Sequence, residues 1–305
     1  MSEPLKILIC SDGHAQADNA VRFVAPIALA AGSSVTLLGI AERPGDQAPL
    51  AEALLREQEI LRVRGVEAEV VMKPGDPIRE IASRTDAIAH DIVVIGAEPK
   101  AAGGASLRSA KAYEFIRSIA DALLIVVGDP GELRRILLCS GGQDHIDRAV
   151  ALVARIAGPL KACVTLAHVV PAAPMMYSGL IQSENDAGQI LAGKTSLGRH
   201  LLRECSALAQ AGVEADVRVL RGLVAEELLR EIDAGNYDLI VVGKSHATGP
   251  LGSYIMGDIT REIVNRAPCP MLVVAGGAPP RGFLRPLFDR IASIFRSPRA
   301  KPPGA

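Results

Sequence analysis

Short, wholly apolar runs alternate along this chain with stretches in which apolar residues recur every three or four positions. Leu5 to Cys10 is the first such run and ends in the turn residues Ser11-Asp12-Gly13. The spacing of Val21, Val24, Ala25 and Ala28 then predicts a helix over Asp18 to Ala31, with Pro26 inside it as a kink. Val35 to Ile40 reads as a strand, Ala51 to Arg64 as a helix and Glu67 to Met72 as a strand. Next come a helix from about Pro77 to Ala89, the strand Ile92 to Ile95, a helix from about Arg108 to Ala120, and the strand Leu123 to Val127. Strands that are apolar throughout and separated by helices imply a parallel sheet covered on both faces.

After Gly128-Asp129-Pro130-Gly131 the programme restarts. Ile136 to Gly141 matches Ile7 to Asp12 at an offset of 139 − 10 = 129 residues, whereas Gly212-Val213-Glu214-Ala215 matches Gly65-Val66-Glu67-Ala68 at 212 − 65 = 147. The second copy therefore carries an insertion of 147 − 129 = 18 residues after its second strand, within Pro171 to Gly193. A repeat of this length predicts two complete domains, residues 1–128 and 133–277, rather than units of a solenoid. A tail, residues 278–305, follows. In it Leu287, Phe288, Ile291, Ile294 and Phe295 fall at helical spacing between Pro286 and Pro298, which predicts a short basic amphipathic helix.

Composition sharpens this picture in two places. The chain has 33 basic against 34 acidic residues, so no overall field points to nucleic acid, but from Ala278 onward six basic residues face one acid, a net +5 that leaves −6 for the rest. The tail is thus expected to contact a protein partner, a membrane surface or the chain's own domains. Five widely spaced cysteines without a CxxC pair argue against a disulfide framework or a zinc site and fit a reducing cytoplasm. No apolar run reaches the roughly 18 residues of a membrane span, and Met1 to Cys10 does not have the form of a signal peptide.

In open parallel sheets a ligand binds beyond the carboxyl ends of the strands, where the strand order reverses. The candidate binding positions are therefore the loops after the first and fourth strands of each copy. They hold Asp12 and Gly96 in the first copy. In the second they hold Ser140, Gly141, Gly142, Gly243, His246, Gly249, Gly252, Gly257 and Asp258. Glycines there let a backbone approach a phosphate, and the helix that follows offers unpaired N–H groups.

The run Gly243-Lys244-Ser245-His246, the later Gly257-Asp258 and the stretch Arg266 to Val274 resemble the C-terminal signature of the universal stress proteins. The likeness extends to Ile136 to Ser140 and to His168-Val169-Val170-Pro171. The resemblance implies two tandem doubly wound α/β domains with five-stranded parallel sheets of order 3-2-1-4-5, packed as an intramolecular pseudo-dimer, and a stress-response role without catalysis. A homodimer is left open. One branch of that family binds ATP through Gly-x2-Gly-x9-Gly-Ser/Thr. Here His246 replaces the second glycine, the spacer to Gly257 has ten residues, and Asp258 replaces the hydroxyl residue; the first copy has Pro99 and Ala110-Lys111 at the corresponding places. Weak or absent ATP binding is therefore expected, with ATP the one cofactor to consider, and no metal site is assigned.

A second class of function rests on Ser140-Gly141-Gly142-Gln143-Asp144, which resembles the SGGxDS loop of the ATP pyrophosphatases except that His145 stands in place of the last serine. That alternative is an ATP switch or nucleotide-dependent enzyme, with Asp144 or Asp258 on magnesium. Gly188 to Thr195 fits the P-loop expression, but no buried strand precedes it, so it reads as part of the insertion leading into a helix over Ser196 to Gln210. The six histidines form no catalytic pattern and read as surface or loop residues. Cys10 and Cys139 end equivalent strands and read as packing residues.

Overall fold

The computed structural model describes residues 3–98, 122–141, 146–171, 187–244 and 260–275. The first half runs β1 (Lys6–Ser11), α1 (Ala15–Ala30), β2 (Ser34–Ala41), α2 (Gln47–Val63), β3 (Ala68–Pro74), α3 (Pro77–Ala87), β4 (Ile92–Ala97) and β5 (Ala122–Val127). The second runs β6 (Arg135–Ser140), α4 (Asp147–Leu160), β7 (Cys163–Val170), α5 (Ala187–Leu191), α6 (Ser196–Gln210), β8 (Ala215–Arg221), α7 (Val224–Gly235), β9 (Leu239–Lys244), the helical residues 260–266, and β10 (Met271–Ala275). The expected helix over Arg108 to Ala120 and the tail helix lie outside the described residues.

Helix starts are where pattern and structure differ most. Helix α1 begins at Ala15 rather than Asp18, and α2 at Gln47 rather than Ala51, because their first turns are short of apolar residues and so show no periodicity. Where chemistry marks the start, the match is close. Asp76 caps α3 by accepting from the Arg79 amide at 3.0 Å, with Pro77 following it. Thr195 caps α6 by accepting from the Gly198 amide at 2.9 Å. That second cap disposes of the P-loop expression: the threonine hydroxyl serves a helix end, and residues 188–191 of the expression are already helical.

Each half keeps the order 3-2-1-4-5, and the structure joins them edge to edge in one ten-stranded sheet of order β3-β2-β1-β4-β5-β10-β9-β6-β7-β8. All pairs are parallel except β5 with β10, which run antiparallel with Met271, Leu272 and Val273 opposite Ile125, Leu124 and Leu123. All six residues of β5 and all five of β10 are buried, so an unpaired edge at either would leave apolar backbone open to other chains. Pairing them closes both edges. The outermost strands β3 and β8, by contrast, alternate half-buried with exposed residues and carry Glu69, Lys73, Asp216 and Arg218.

Alternate residues of each strand feed two cores. Ile7, Ile9, Leu124, Leu272 and Val274 face the layer of α1, α2, α4 and α6, while Leu8, Leu123, Ile125, Met271 and Val273 face α3, α7 and the helical residues 260–266. Both cores run through the seam from one half into the other. A polar tie reinforces it on the first face. The buried Arg155 of α4 crosses to the first half and donates to Asp91 Oδ1 at 3.2 Å and to the Glu3 carbonyl at 2.6 Å. Because the cores are shared, Leu272→Ala is expected to cost about 2–5 kcal/mol. It should also shift the urea unfolding of both halves as one transition. Two separate transitions, with only the second half moved, would show that the halves are energetically independent.

Candidate functional site

Strand register puts the expected positions side by side. Cys10 lies opposite Ile95, so Ser11 and Gly96 follow together at the ends of β1 and β4; Cys139 lies opposite Val242, which brings Ser140 beside Gly243. Asp12 and Gly141 come next, both exposed. Asp12 and Gly96 thus gather at the carboxyl ends of the first half's strands and Ser140, Gly141 and Gly243 at those of the second half's, at opposite ends of the sheet because β5 and β10 run antiparallel. Gly142, His246, Gly249, Gly252, Gly257 and Asp258 lie outside the described residues.

The turn after β1 is built by short-range hydrogen bonds. The Gly13 amide donates to Ser11 Oγ at 3.0 Å, and the His14 amide donates to Asp12 Oδ1 at 3.0 Å. Gly13 holds a φ of +80°, which favours glycine, and lets the chain reverse into α1. Helix α1 then starts directly over β4. A Cβ on Gly96 would lie 2.2 Å from the Gln16 carbonyl oxygen and 2.8 Å from the Ala17 nitrogen. Gly96 therefore admits the first turn of α1, a packing role that accounts for it without a phosphate. Around this mouth stand Asp12 and Glu98, the latter accepting from Gln16 Nε2 at 3.2 Å.

Beneath the turn lies a carboxyl group that pattern reading missed. Ser11 Oγ donates to Glu57 Oε1 at 2.7 Å, and Glu57 is fully buried although it belongs to a helix with a largely polar sequence. Its second oxygen, Oε2, has no hydrogen-bond partner among the described residues. Burial pushes Glu57 up to about 7, against the lowering effect of the Ser11 hydroxyl and of neighbouring Arg56 and with the help of Asp18 and Asp12. Arg56 itself grips Asp18 of α1 through Nε and Nη2 at 3.0–3.3 Å, which ties α2 to α1 over the buried acid.

The second half repeats this arrangement with one addition. Ser140 Oγ donates to the fully buried Glu204 Oε2 at 3.4 Å, and Asp147 and Arg203 act on Glu204 as Asp18 and Arg56 act on Glu57. The added groups are two histidines where the first half has Gly39 and Ala53. His200 Nε2 lies 2.7 Å from Glu204 Oε1, and its Nδ1 accepts from Arg203 at 2.6 Å. His168 Nδ1 donates to the Ser140 carbonyl at 2.9 Å, and burial lowers its pKa. The expectation that the histidines are surface or loop residues fails for these two: His168 is in β7 and His200 in α6, both buried, because each has a polar partner inside.

A signal for the acids was present in the repeat. Ser11 and Ser140 differ by 140 − 11 = 129, and Glu57 and Glu204 by 204 − 57 = 147, the two offsets that align the copies. The cysteines behave as packing groups. Burial raises the Cys10 and Cys139 thiols to about 12, where they are neither nucleophiles nor metal ligands at neutral pH. Among the described residues no cluster of metal-ligating side chains occurs, and no helix is long and apolar enough to cross a membrane.

With this geometry in place, the likenesses to known proteins can be stated. Residues 5–124 and 132–275 each match the model of the Universal stress protein family. A universal stress protein of Thermus aquaticus is 31% identical over 142 residues, which span 46% of this chain and 98% of that protein. A crystal structure of a universal stress protein from Archaeoglobus fulgidus DSM 4304 superposes with a TM-score of 0.70 at 15% identity, covering 89% of this chain and 98% of that one. A putative universal stress protein from Pseudomonas aeruginosa UCBPP-PA14 gives 0.60 at 16% identity, covering 89% and 93%. The two crystal structures establish the shared fold.

Two outcomes are expected from the site residues. Gly96→Ala should destabilise the protein by about 1–3 kcal/mol, since backbone rather than a side-chain tip blocks the new methyl; thermal unfolding measures it. For Glu57 the sign follows from linkage. Below the ordinary carboxyl value both folded and unfolded chains hold the proton; between there and about 7 the folded chain keeps it and the unfolded chain does not, so folding stability falls as pH rises through this window and levels off above it. Glu57→Gln should therefore be more stable than the native protein above pH 7, by about 3 kcal/mol, with the difference closing towards acid pH. Urea titrations of both proteins across the window check this.

Proposed function

Since the chain belongs to the universal stress protein family, we propose that it acts in the cytoplasm as a non-catalytic stress-response regulator or interaction module whose sheet edge binds ATP weakly or not at all. The observation that carries the reading is the crowding and charge at the first half's switch point. The backbone of Gln16 closes directly over Gly96, and the carboxylates Asp12 and Glu98 stand at the same mouth. A triphosphate brought there meets like charge, and Arg56, the nearby cation of α2, is already engaged by Asp18.

In the second half the motif departures carry the same weight. His246 and Asp258 stand where a glycine and a hydroxyl residue would receive phosphate, and a carboxylate there adds repulsion in the absence of a bridging metal. The absence of catalysis is supported by the state of the reactive groups near the two strand ends. The Cys10 and Cys139 thiols are held neutral by burial, His168 Nδ1 is bonded to the Ser140 carbonyl, and His200 holds Glu204 and Arg203 with its two ring nitrogens. Regulation through partners then falls to the outer helices and the basic tail beyond residue 277.

Isothermal titration of the full chain with ATP and magnesium should show no saturable binding in the low-micromolar range. A low-micromolar dissociation constant, or a stoichiometric nucleotide retained through purification, would overturn the reading.

A further inference from the structure

The buried acid beneath each first strand is an expensive feature to build. Glu57 is fully buried, uses one oxygen on Ser11, and leaves the other without a partner among the described residues. A core-filling role alone is served better by an apolar residue of similar volume. Yet the same acid recurs in the second half under the equivalent serine, at the fixed offsets of the repeat. Its position is also specific. Glu57 touches no ligand-facing atom itself, but Ser11 Oγ is donor to Glu57 and acceptor from the Gly13 amide in one continuous chain of hydrogen bonds.

We propose that Glu57 is a positioning residue which, acting through Ser11, sets the geometry of the turn Asp12–His14 at the carboxyl edge of the first half, and which does so according to whether its carboxyl group is ionised. When Glu57 is ionised, Ser11 donates into a carboxylate, a charge-assisted bond that polarises the hydroxyl oxygen and strengthens its acceptance of the Gly13 N–H. When Glu57 takes up a proton, the bond to Ser11 becomes one between neutral groups and the hold on Gly13 weakens. The charged groups that act on Glu57 are Asp18 of α1, Arg56 beside it on α2, and Asp12 of the turn. Burial is the largest influence in favour of the neutral form, Asp18 and Asp12 add to it, and Arg56, which opposes it, is shared with Asp18, so protonation occurs close to neutrality. The turn carries the negative charge of Asp12 at the mouth, so its order alters what an approaching ligand meets. That last consequence rests on the reading of this turn as ligand-facing; the coupling of Glu57 to the turn does not.

The test is a pH series of amide 1H–15N spectra on the full chain, with the native protein compared with Glu57→Gln, Ser11→Ala and His14→Gln. The Gly13 amide proton of the native protein should titrate with a midpoint close to 7. It should be flat in Glu57→Gln between about pH 5.5 and about pH 8.5, and still titrate in His14→Gln, whose imidazole borders the same turn. In Ser11→Ala the Glu57 carboxyl, followed by its 13C resonance, should titrate about one unit higher, because a hydrogen bond to its ionised form is gone. A Gly13 amide that does not titrate in the native protein, or that titrates unchanged in Glu57→Gln and is silenced only in His14→Gln, overturns the proposal. So does a Glu57 resonance indifferent to loss of the Ser11 hydroxyl. Adding inorganic phosphate to the same samples separates the two claims: a pH response at Gly13 with no effect of phosphate leaves the coupling standing and counts against the turn as an anion-facing loop.

Discussion

The antiparallel pairing of β5 with β10 is the constraint on which the arrangement of the two halves depends. Each half ends in a short strand with every side chain buried, and such a strand needs a hydrogen-bonded neighbour on both edges and cover on both faces. By giving each half's last strand the other as neighbour, the chain merges two five-stranded units into one sheet and two pairs of core layers into one pair. Only three residue pairs span the seam, so its strength comes less from backbone bonds than from the continuous packing of Leu124 and Leu272 on one face and Ile125 and Met271 on the other. Arg155 adds orientation, since it must satisfy Asp91 and the Glu3 carbonyl together.

Much of this is legible in the sequence, because parallel strands buried on both faces announce themselves as unbroken apolar runs. The βα alternation and the restart after Gly131 follow from local periodicity and from the repeat, while the order within each half comes from the resemblance to the universal stress proteins. The seam was not legible as a pairing: nothing local in Ala122–Val127 names Met271 as a partner some 150 residues away, although the likeness to a family of paired domains implied that the halves meet. The candidate site was read less well. Position along the strands puts Asp12 and Gly96 at the carboxyl ends of one half's strands and Ser140, Gly141 and Gly243 at those of the other's, while the missing side chain of Gly96, read from sequence as room for a ligand, makes room for the backbone of α1.

The buried polar groups were the least visible of all, for a physical reason. A glutamate in a helix such as Leu55-Arg56-Glu57-Gln58-Glu59 looks like solvent-facing sequence, and only its partner across the fold reveals otherwise. The same is true of His168, set among the apolar residues of β7 and yet bonded to the Ser140 carbonyl. Periodicity senses the average polarity of a face and is blind to a single satisfied exception. Comparison of the two copies is more sensitive, because a polar residue kept at the same place in both halves is marked by its repetition even when its helix is polar throughout.

Covalent linkage of the halves changes what a single substitution can do. In an assembly of two identical chains every replacement appears twice, at symmetry-related places, and both sites must accept it. Here His168 and His200 in one half stand at the positions of Gly39 and Ala53 in the other, so one buried acid is bonded to a serine with no imidazole beside it while its counterpart has an imidazole at 2.7 Å. Two edges of common architecture thereby surround their buried acids with different groups within one molecule. Symmetry is kept where the sheet needs it and abandoned where the chemistry differs.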